Sequence, residues 1–345
     1  MSIDMKKNFL KLIWGFRRHD LGVFMKEHDR LYEEAKESGN HCEVTAHYYS
    51  VMSNVIDTYF GGNFHFASPD SDDIYLEEAL LRLHRKIGGK LELQEGVKCL
   101  DLGCGIGGVM RDLAPTKATL TGVTIAPNEE EIGFSFVYSK KIRILGNAEF
   151  SKMGISNCRI HAADICDMKC IVSNSQDAAY AIYSLKYLPK LDAVFKEVSR
   201  ALKPGGKLAI YDLIKTPSYN EENLEHRKIV EGLEYACGMP SLHTAEEMQN
   251  AAEAVGLELI ETVDFDEKNG RAYHYCFSQS ALFMWLITSP FILWLIGLCE
   301  SVGVLPNGFL AFFTVFLAGT VHKIVRGGQM GVLSGSQLLV FKKKT

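Results

Sequence analysis

Apolar and polar positions follow two different periods along this chain, and the order of these periods predicts an α/β fold. Short apolar runs typical of buried strands lie at 97–102, 118–124, 158–165, 176–183, 207–212, 257–263 and 337–341. Helical spacing of apolar residues lies around and between them, at 75–87, 109–113, 191–202, 221–236 and 244–255. Strands that alternate with helices in this way predict a doubly wound sheet with helices on both faces.

Two regions fall outside this alternation. Residues 20–58 have helical spacing with a polar break near 37–41, which predicts an N-terminal helical cap. Residues 266–335 form an insertion before the last strand. We therefore expect three parts: an N-terminal helical region with an aromatic segment at 1–88, a central doubly wound domain at 89–265, and a C-terminal region at 266–345.

The insertion carries two uncharged, almost wholly apolar stretches, at 281–299 and 309–321. The first is long enough to span a bilayer, which takes roughly 17–25 residues, and the second is shorter. A last strand that rejoins the sheet must lie on the side where the chain began, which excludes a single crossing. Pro290 and the turn at 305–308 favour a broken hairpin that dips into one leaflet or covers an apolar ligand. An ordinary buried helical pair is the alternative.

Composition and charge narrow the classes of function. The chain has 345 residues and a formal net charge of −5, which gives no support for a nucleic-acid partner. Nine scattered cysteines without metal-ligand spacing predict reduced thiols and no metal site. Basic residues between 6 and 18 are interleaved with apolar ones, including Trp14 and Phe16. This is the pattern of an amphipathic helix that lies on a membrane surface or packs on the domain.

A glycine-rich turn at 103–108 stands between the first strand of the domain and a short helix. Glycines at Gly103, Gly105 and Gly107 let backbone approach a ligand closely, and Asp101 comes just before them. A carboxylate there suits a cationic ligand and would repel a pyrophosphate. The sequence Asp-Leu-Gly-Cys-Gly-Ile-Gly-Gly resembles motif I of class I S-adenosylmethionine methyltransferases, which implies a Rossmann-like fold and that cofactor. A glycine turn in another doubly wound protein is the alternative.

The resemblance implies further cofactor contacts at the ends of the next strands. We expect Glu129, with Thr124 in support, to bind the ribose hydroxyls. The glutamates from 129 to 131 could instead only decorate a helix N-terminus. In methyltransferases an Asp at the position of Asp164, followed here by Ile165, accepts from the adenine amino group. The end of the fourth strand, Ile182-Tyr183-Ser184, is expected to face the methyl donor, and Leu-Lys-Pro-Gly-Gly at 202–206 is a second methyltransferase signal.

Further segments resemble the sterol methyltransferase family from about residue 48 to the end. They are Tyr-Phe-Gly-Gly-Asn-Phe-His-Phe at 59–66, Asn-Leu-Glu-His-Arg-Lys-Ile at 223–229, Gly-Met-Pro at 238–240, Ala-Tyr-His-Tyr at 272–275 and Gly-Gly-Gln-Met-Gly at 327–331. The resemblance implies methyl transfer from S-adenosylmethionine to a carbon of a sterol. A sterol substrate in turn implies a peripheral or monotopic protein on the cytoplasmic face of an internal membrane, such as the endoplasmic reticulum.

One departure from the family pattern bears on the reaction. The fourth strand of the family typically ends Tyr-Ala-Ile-Glu-Ala-Thr-Cys-His, whereas this chain has Tyr-Ala-Ile-Tyr-Ser-Leu-Lys-Tyr at 180–187. Tyr183 and Tyr187 thus replace the Glu and the His. The usual reaction at C24 passes through a carbocation, which a carboxylate stabilises. The chain fits better a divergent branch similar to nematode sterol 4-methyltransferases, which implies methylation at C4 through a 3-keto sterol enolate.

Enolate chemistry needs a base and a hydrogen-bond donor for the oxyanion. We expect Tyr183 and Tyr187 to be donors, and His65, His226 or Glu234 to be the base. His243 is a further candidate that fits a helix cap better, and His65 could be a satisfied core histidine. Methylation at C24, methylation of another lipid such as a phospholipid head group, and a sterol-binding relative without activity remain alternatives. The oligomeric state stays open.

Overall fold

The computed structural model describes residues 15–16, 20–60, 63, 65–73, 75–124 and 134–345. Within these residues the strands lie along the chain much as the apolar runs predict. In chain order they are Lys98–Leu102 (β1), Thr119–Thr124 (β2), Cys158–Ala162 (β3), Gln176–Ile182 (β4), Leu202–Tyr211 (β5), Ile214–Lys215 (β6), Leu257–Asp264 (β7), Leu333–Ser334 (β8) and Gln337–Lys343 (β9).

Seven of these strands form one sheet in the order β3-β2-β1-β4-β5-β9-β7. The first five are parallel, and β9 runs antiparallel to both β5 and β7. β6 and β8 form a separate two-stranded ribbon. The prediction of a doubly wound α/β fold is confirmed. The apolar pattern did not predict that the last strand lies between two earlier ones.

The helices cover both faces of this sheet. They are Leu21–Ser38 (α1), Cys42–Phe60 (α2), Leu76–Lys90 (α3), Gly108–Leu113 (α4), Phe134–Lys152 (α5), Asp192–Ala201 (α6), Leu224–Cys237 (α7), Ala245–Glu253 (α8), Phe265–Asn269 (α9), Tyr275–Ser278 (α10), Ala281–Thr288 (α11), Pro290–Ser301 (α12) and Phe309–Gln329 (α13). Short 3₁₀ turns occupy Ala114–Thr116 and Leu185–Tyr187, and α13 contains a π-helical turn at Phe313–Leu317.

Local sequence accounts for several helix boundaries. Thr244 caps α8 in a capping box with Glu247, as its position in the sequence predicts. The side chain of Asn223 accepts from two N–H groups at the start of α7. Pro290 begins a new helix after Ser289, and α11 and α12 meet there at a bend of 52°.

Two apolar cores flank the sheet. The smaller one packs α6 and α8 against one face, and the larger one packs α1, α2 and α3 against the other. The larger core also includes α13, whose Phe312 and Phe316 lie 5.6 and 5.3 Å from the ring of Phe24 in α1. Phe16, the described member of the N-terminal apolar stripe, is buried against Phe312; the rest of that stripe lies outside the described residues. The N-terminal cap and the C-terminal region therefore share one core.

The two arms of the predicted hairpin differ sharply in burial. No residue of α11 or α12 is buried, and Trp285, Phe291 and Trp294 are 55%, 62% and 61% exposed. In the second arm, α13, Phe312 and Phe316 are fully buried. By length and composition α13 could cross a membrane, and the bent α11–α12 pair could count as a second span. A broken hairpin is confirmed, and the alternative of an ordinary buried pair is wrong for its first arm.

Candidate active site

The turn after β1 adopts a backbone conformation that glycine favours. Gly103, Gly105 and Gly107 have φ angles of +85°, +51° and +83°. A Cβ atom at Gly103 would lie 2.5 Å from the Cβ of Ser184, and one at Gly107 would lie 2.4 Å from the ring of Phe150. A Cβ at Gly105 would meet nothing within 4 Å. Packing thus requires the first and third glycines, while the middle one borders open space that a ligand can occupy.

Asp101 is buried at the end of β1, with 3% of its surface exposed. The hydroxyl of Tyr180 donates to its Oδ2 over 2.9 Å. Burial raises the pKa of the Asp101 carboxyl to about 7, and this one hydrogen bond offsets only part of the effect. A cationic group in the adjacent space would restore the ionised form. The chemistry of this position therefore fits the ammonium of an amino-acid ligand.

The other predicted cofactor residues lie at the carboxyl ends of parallel strands. Thr124 ends β2 and is 4% exposed, and Ile182 ends β4 and is 9% exposed. Asp164 follows β3, and its Oδ1 accepts from the Cys166 N–H at 2.7 Å, while Ile165 is buried. Ligands of doubly wound sheets bind at this edge. Glu129 lies outside the described residues, so its predicted ribose contact stays a prediction.

The loop after β4 is strained and fastened to the glycine turn. Tyr183 has a φ of +53°, which is rare for a bulky residue and occurs most often at functional sites. Its hydroxyl donates to the Gly335 carbonyl at 2.9 Å, which overturns our expectation that it is free to donate to an oxyanion. The neighbouring Ser184 donates to the Leu102 carbonyl at 2.6 Å. The segment that follows Ile182 therefore packs directly against the start of the glycine turn.

Lys186 is a candidate functional residue that the sequence analysis did not identify. It is 3% exposed, and its Nζ lies 4.1 Å from the ring centroid of Tyr183 and 5.3 Å from that of Tyr187. Burial lowers the pKa of its ammonium to about 8, against the opposing effect of the Asp212 carboxylate. The backbone N–H groups of Leu185 and Lys186 hold that carboxylate. A signal was available, because Lys186 stands where the family pattern has Cys.

His65 and Tyr187 join this cluster. The ring of His65 lies 6.0 Å from that of Tyr183, and burial, His84 and Lys186 hold the pKa of His65 well below its usual value. His65 is thus neutral and able to accept a proton at neutral pH. The hydroxyl of Tyr187 accepts from Tyr49 at 2.9 Å and can itself donate one hydrogen bond.

Three other candidates have different contacts. The carboxylate of Glu234 accepts from the Leu242 N–H at 2.7 Å and so fastens the turn after α7. His226 accepts from the Asn220 N–H at the surface, at the beginning of α7. Neither of these contacts joins the cluster around Lys186, so we do not retain Glu234 or His226 as the base. His243 bonds to the Leu188 carbonyl and does not cap α8, since Thr244 has that role.

Comparison with known proteins gives both a family and a fold. The family described as "Methyltransferase domain" matches residues 100–210. "Sterol 4-C-methyltransferase strm-1" of Caenorhabditis elegans is 56% identical over 100% of this chain and 99% of its own length. "Sterol 24-C-methyltransferase" of Debaryomyces hansenii is 27% identical over 95% of this chain and 86% of its own length.

Solved structures with low sequence identity share the architecture. A putative sarcosine dimethylglycine methyltransferase from Galdieria sulphuraria superposes with a TM-score of 0.61 at 19% identity, covering 84% of this chain and 97% of that one. Geranyl diphosphate C-methyltransferase from Streptomyces coelicolor gives 0.59 at 17% identity, covering 88% and 98%. At such identities the likeness establishes the class I methyltransferase fold alone.

Proposed function

This chain belongs to the sterol methyltransferase family, and we propose that it transfers a methyl group from S-adenosylmethionine to C4 of a 3-keto sterol. When bound, the cofactor supplies an electrophilic methyl group on a sulfonium. The buried carboxylate of Asp101 fits the ammonium of the cofactor. The open space beside Gly105 fits the part of the cofactor that lies against the backbone of the glycine turn. Thr124, Asp164, Ile165 and Ile182 would hold the nucleoside and the sulfonium end at the same edge of the sheet.

The buried ammonium of Lys186 carries the choice of C4 over C24. Methylation of a side-chain alkene at C24 leaves a positive charge on the substrate, whereas methylation next to a C3 ketone passes through an enolate. A cation in a poorly solvated site opposes the first and stabilises the second. Relative to the family pattern, the loop has lost a carboxylate at Tyr183 and gained an ammonium at Lys186. Both changes favour a negative intermediate.

Each residue of the cluster then has a defined part. His65 takes the proton from C4, and the electron pair of that C–H bond becomes the enolate. Lys186 and Tyr187 donate to the C3 oxyanion, while the ring of Tyr183 supports the ammonium. With the donor bound, the electron pair of the enolate would form the new C–C bond at C4, and the electrons of the broken S–CH₃ bond would stay on the donor sulfur. The proton on His65 leaves to water with the product.

Location of the new methyl group tests this function directly. The purified full-length protein is incubated with labelled donor and, separately, with a 3-keto sterol, its 3-hydroxy counterpart and a sterol with a side-chain alkene. We expect product from the ketone only, with the label at C4 by mass spectrometry and NMR. Product from the alkene would show 24-C-methylation. Donor binding without any product would indicate a sterol-binding relative, and transfer to a phospholipid would indicate another lipid acceptor.

The first arm of the hairpin supports a site of action at a membrane surface. Its exposed apolar side chains include two tryptophans, and the arm bends by 52° instead of crossing straight. A groove of about 1070 Å³ between α12 and α13 adds further apolar surface from Trp294, Leu298 and Leu310. Tryptophans favour the lipid–water interface. We place this arm in the cytoplasmic leaflet of an internal membrane, such as the endoplasmic reticulum, where sterols partition.

Replacing Trp285, Phe291 and Trp294 together by serine is expected to weaken binding to phosphatidylcholine vesicles by about 100-fold. Each of these side chains loses apolar area worth roughly 1 kcal/mol. Co-sedimentation measures the effect, and turnover of detergent-dispersed sterol should stay the same. The matched control replaces Val23, Val172 and Ile260, which are exposed elsewhere, by serine. Equal vesicle binding by both triple variants would contradict membrane docking through this arm.

A further inference from the structure

A chain of three polar side chains connects His65 to the protein surface. Nε2 of His65 lies 2.6 Å from Nε2 of His84 in α3. Nδ1 of His84 lies 2.7 Å from Oδ2 of Asp112 in α4. Both imidazoles are buried, at 3% and 0% exposure, whereas 30% of the Asp112 side chain is exposed. Three separate segments of the chain thus meet in one linear array.

The hydrogen-bond chemistry of this array fixes the tautomers. A carboxylate only accepts, so Nδ1 of His84 must carry the proton that it donates to Asp112. When His84 carries no second proton, its Nε2 has a lone pair, which can only accept from His65. His65 must therefore carry its proton on Nε2. Its lone pair lies on Nδ1, the nitrogen that does not bond to His84.

We infer that His84 and Asp112 are positioning residues that make His65 the general base, by holding it in the tautomer whose Nδ1 accepts the C4 proton. The inference rests on the proposed function for the identity of that proton. In the resulting imidazolium both nitrogens of His65 carry protons, and its Nε2–H still donates to His84. The Asp112 carboxylate stabilises the new positive charge through His84.

The charges around His65 make this support necessary. The groups that face it are His84 from α3, Lys186 from the loop after β4, and the ring of Tyr183. Burial, a second proton on His84 and the positive charge of Lys186 all oppose a proton on His65. Asp112, which bonds to the far side of His84, is the anion of this array and offsets part of that opposition. Without it the base would be weaker and its ring free to change tautomer.

The test compares wild type with Asp112→Leu and Asp112→Glu in the full-length protein. Leucine has the same branching and number of non-hydrogen side-chain atoms but cannot accept a hydrogen bond, and glutamate keeps the acceptor. For Asp112→Leu we expect kcat to fall by about 100-fold at unchanged donor affinity, since positioned bases contribute roughly that factor. The acidic limb of the pH–rate profile should move to lower pH, because the imidazolium has lost its anion. Asp112→Glu should restore both, and Glu95→Gln, an exposed charge change, should alter neither.

Two further readouts separate this inference from the proposed function. NMR of ¹⁵N-histidine-labelled protein without ligands should show His84 protonated on Nδ1 and His65 on Nε2, and Asp112→Leu should abolish this pattern. The protein should also catalyse exchange of the C4 hydrogens of a 3-keto sterol in D₂O without the methyl donor. In Asp112→Leu this exchange should slow by about the same factor as kcat. A wild type with these tautomers but no methylated sterol overturns the proposed function alone. Two results would overturn the role of the array. One is the opposite tautomers of His65 and His84 in the wild type, and the other is an exchange rate and a pH–rate profile that do not change in Asp112→Leu.

Discussion

Replacing Lys186 by methionine is expected to lower kcat on a 3-keto sterol by about 100- to 1,000-fold. Removal of one donor to a developing oxyanion has an effect of this size in other enzymes. Methionine has nearly the same volume as lysine, and three backbone N–H groups still hold the buried Asp212 carboxylate that loses its cation. Affinity for S-adenosylmethionine, measured by calorimetry, should stay within about twofold because Asp101 and the glycine turn are unchanged.

The pH dependence sharpens this prediction. The pKa of Lys186 is about 8, so its ammonium is present below that pH and is lost as the pH rises through it. The wild-type rate should therefore fall on the alkaline side with a midpoint near 8, and Lys186→Met should lack this limb. Lys190→Met removes an exposed lysine from the same segment and serves as the control. If Lys186→Met retains full turnover, the enolate mechanism is wrong.

Asp101→Asn is expected to weaken binding of S-adenosylmethionine by about 100-fold at pH 8. Loss of a buried charge partner costs about 3 kcal/mol, which corresponds to that factor. The asparagine side chain has the same shape and can still accept from Tyr180, so the fold should hold. Thermal unfolding of the variant tests that point, and calorimetry measures the affinity. Asp177→Asn, at a carboxylate paired with Lys203, is the control on the same sheet.

The difference in S-adenosylmethionine affinity between Asp101→Asn and wild type should shrink as the pH falls. The pKa of Asp101 is about 7 without ligand, and a cationic ligand prefers the carboxylate. Below pH 7 the wild type must lose a proton to bind, which weakens its affinity by up to about tenfold per pH unit. The variant has no such group, so the two affinities should converge near pH 5. A difference that is constant from pH 5 to 8 would show that the charge of Asp101 does not act on the ligand.

The cofactor side of the site follows from sequence because its determinants are contiguous. Asp101 and the three glycines lie within seven residues of one strand and turn. The positive φ angles of this turn favour glycine, so the residue types indicate its backbone conformation. Helix caps such as Thr244 are local in the same way. The doubly wound order also follows, since β2 and β3 extend the parallel sheet on one side of β1, and β4 and β5 extend it on the other.

The acceptor side depends on contacts between distant segments. His65, His84 and Asp112 occupy three different elements, and only their packing places them in line. In the sequence Lys186 resembles a solvated loop lysine, whereas in the structure its ammonium lies over the ring of Tyr183. Glu234 looked equally suitable as a base, but a backbone N–H from eight residues later accounts for its burial. Long-range contacts, which residue patterns do not encode, thus decided the roles of these residues.

The position of β9 between β5 and β7 has a consequence for biosynthesis. The ribosome makes β9 after β5 and β7, so these two strands lack their shared partner until residues 337–343 have emerged. The apolar first arm of the hairpin, with Trp285 and Trp294, leaves the exit tunnel before β9 does. Lipid contact can therefore precede completion of the sheet, and a nascent chain that stops before residue 337 would leave the edges of β5 and β7 open to chaperones.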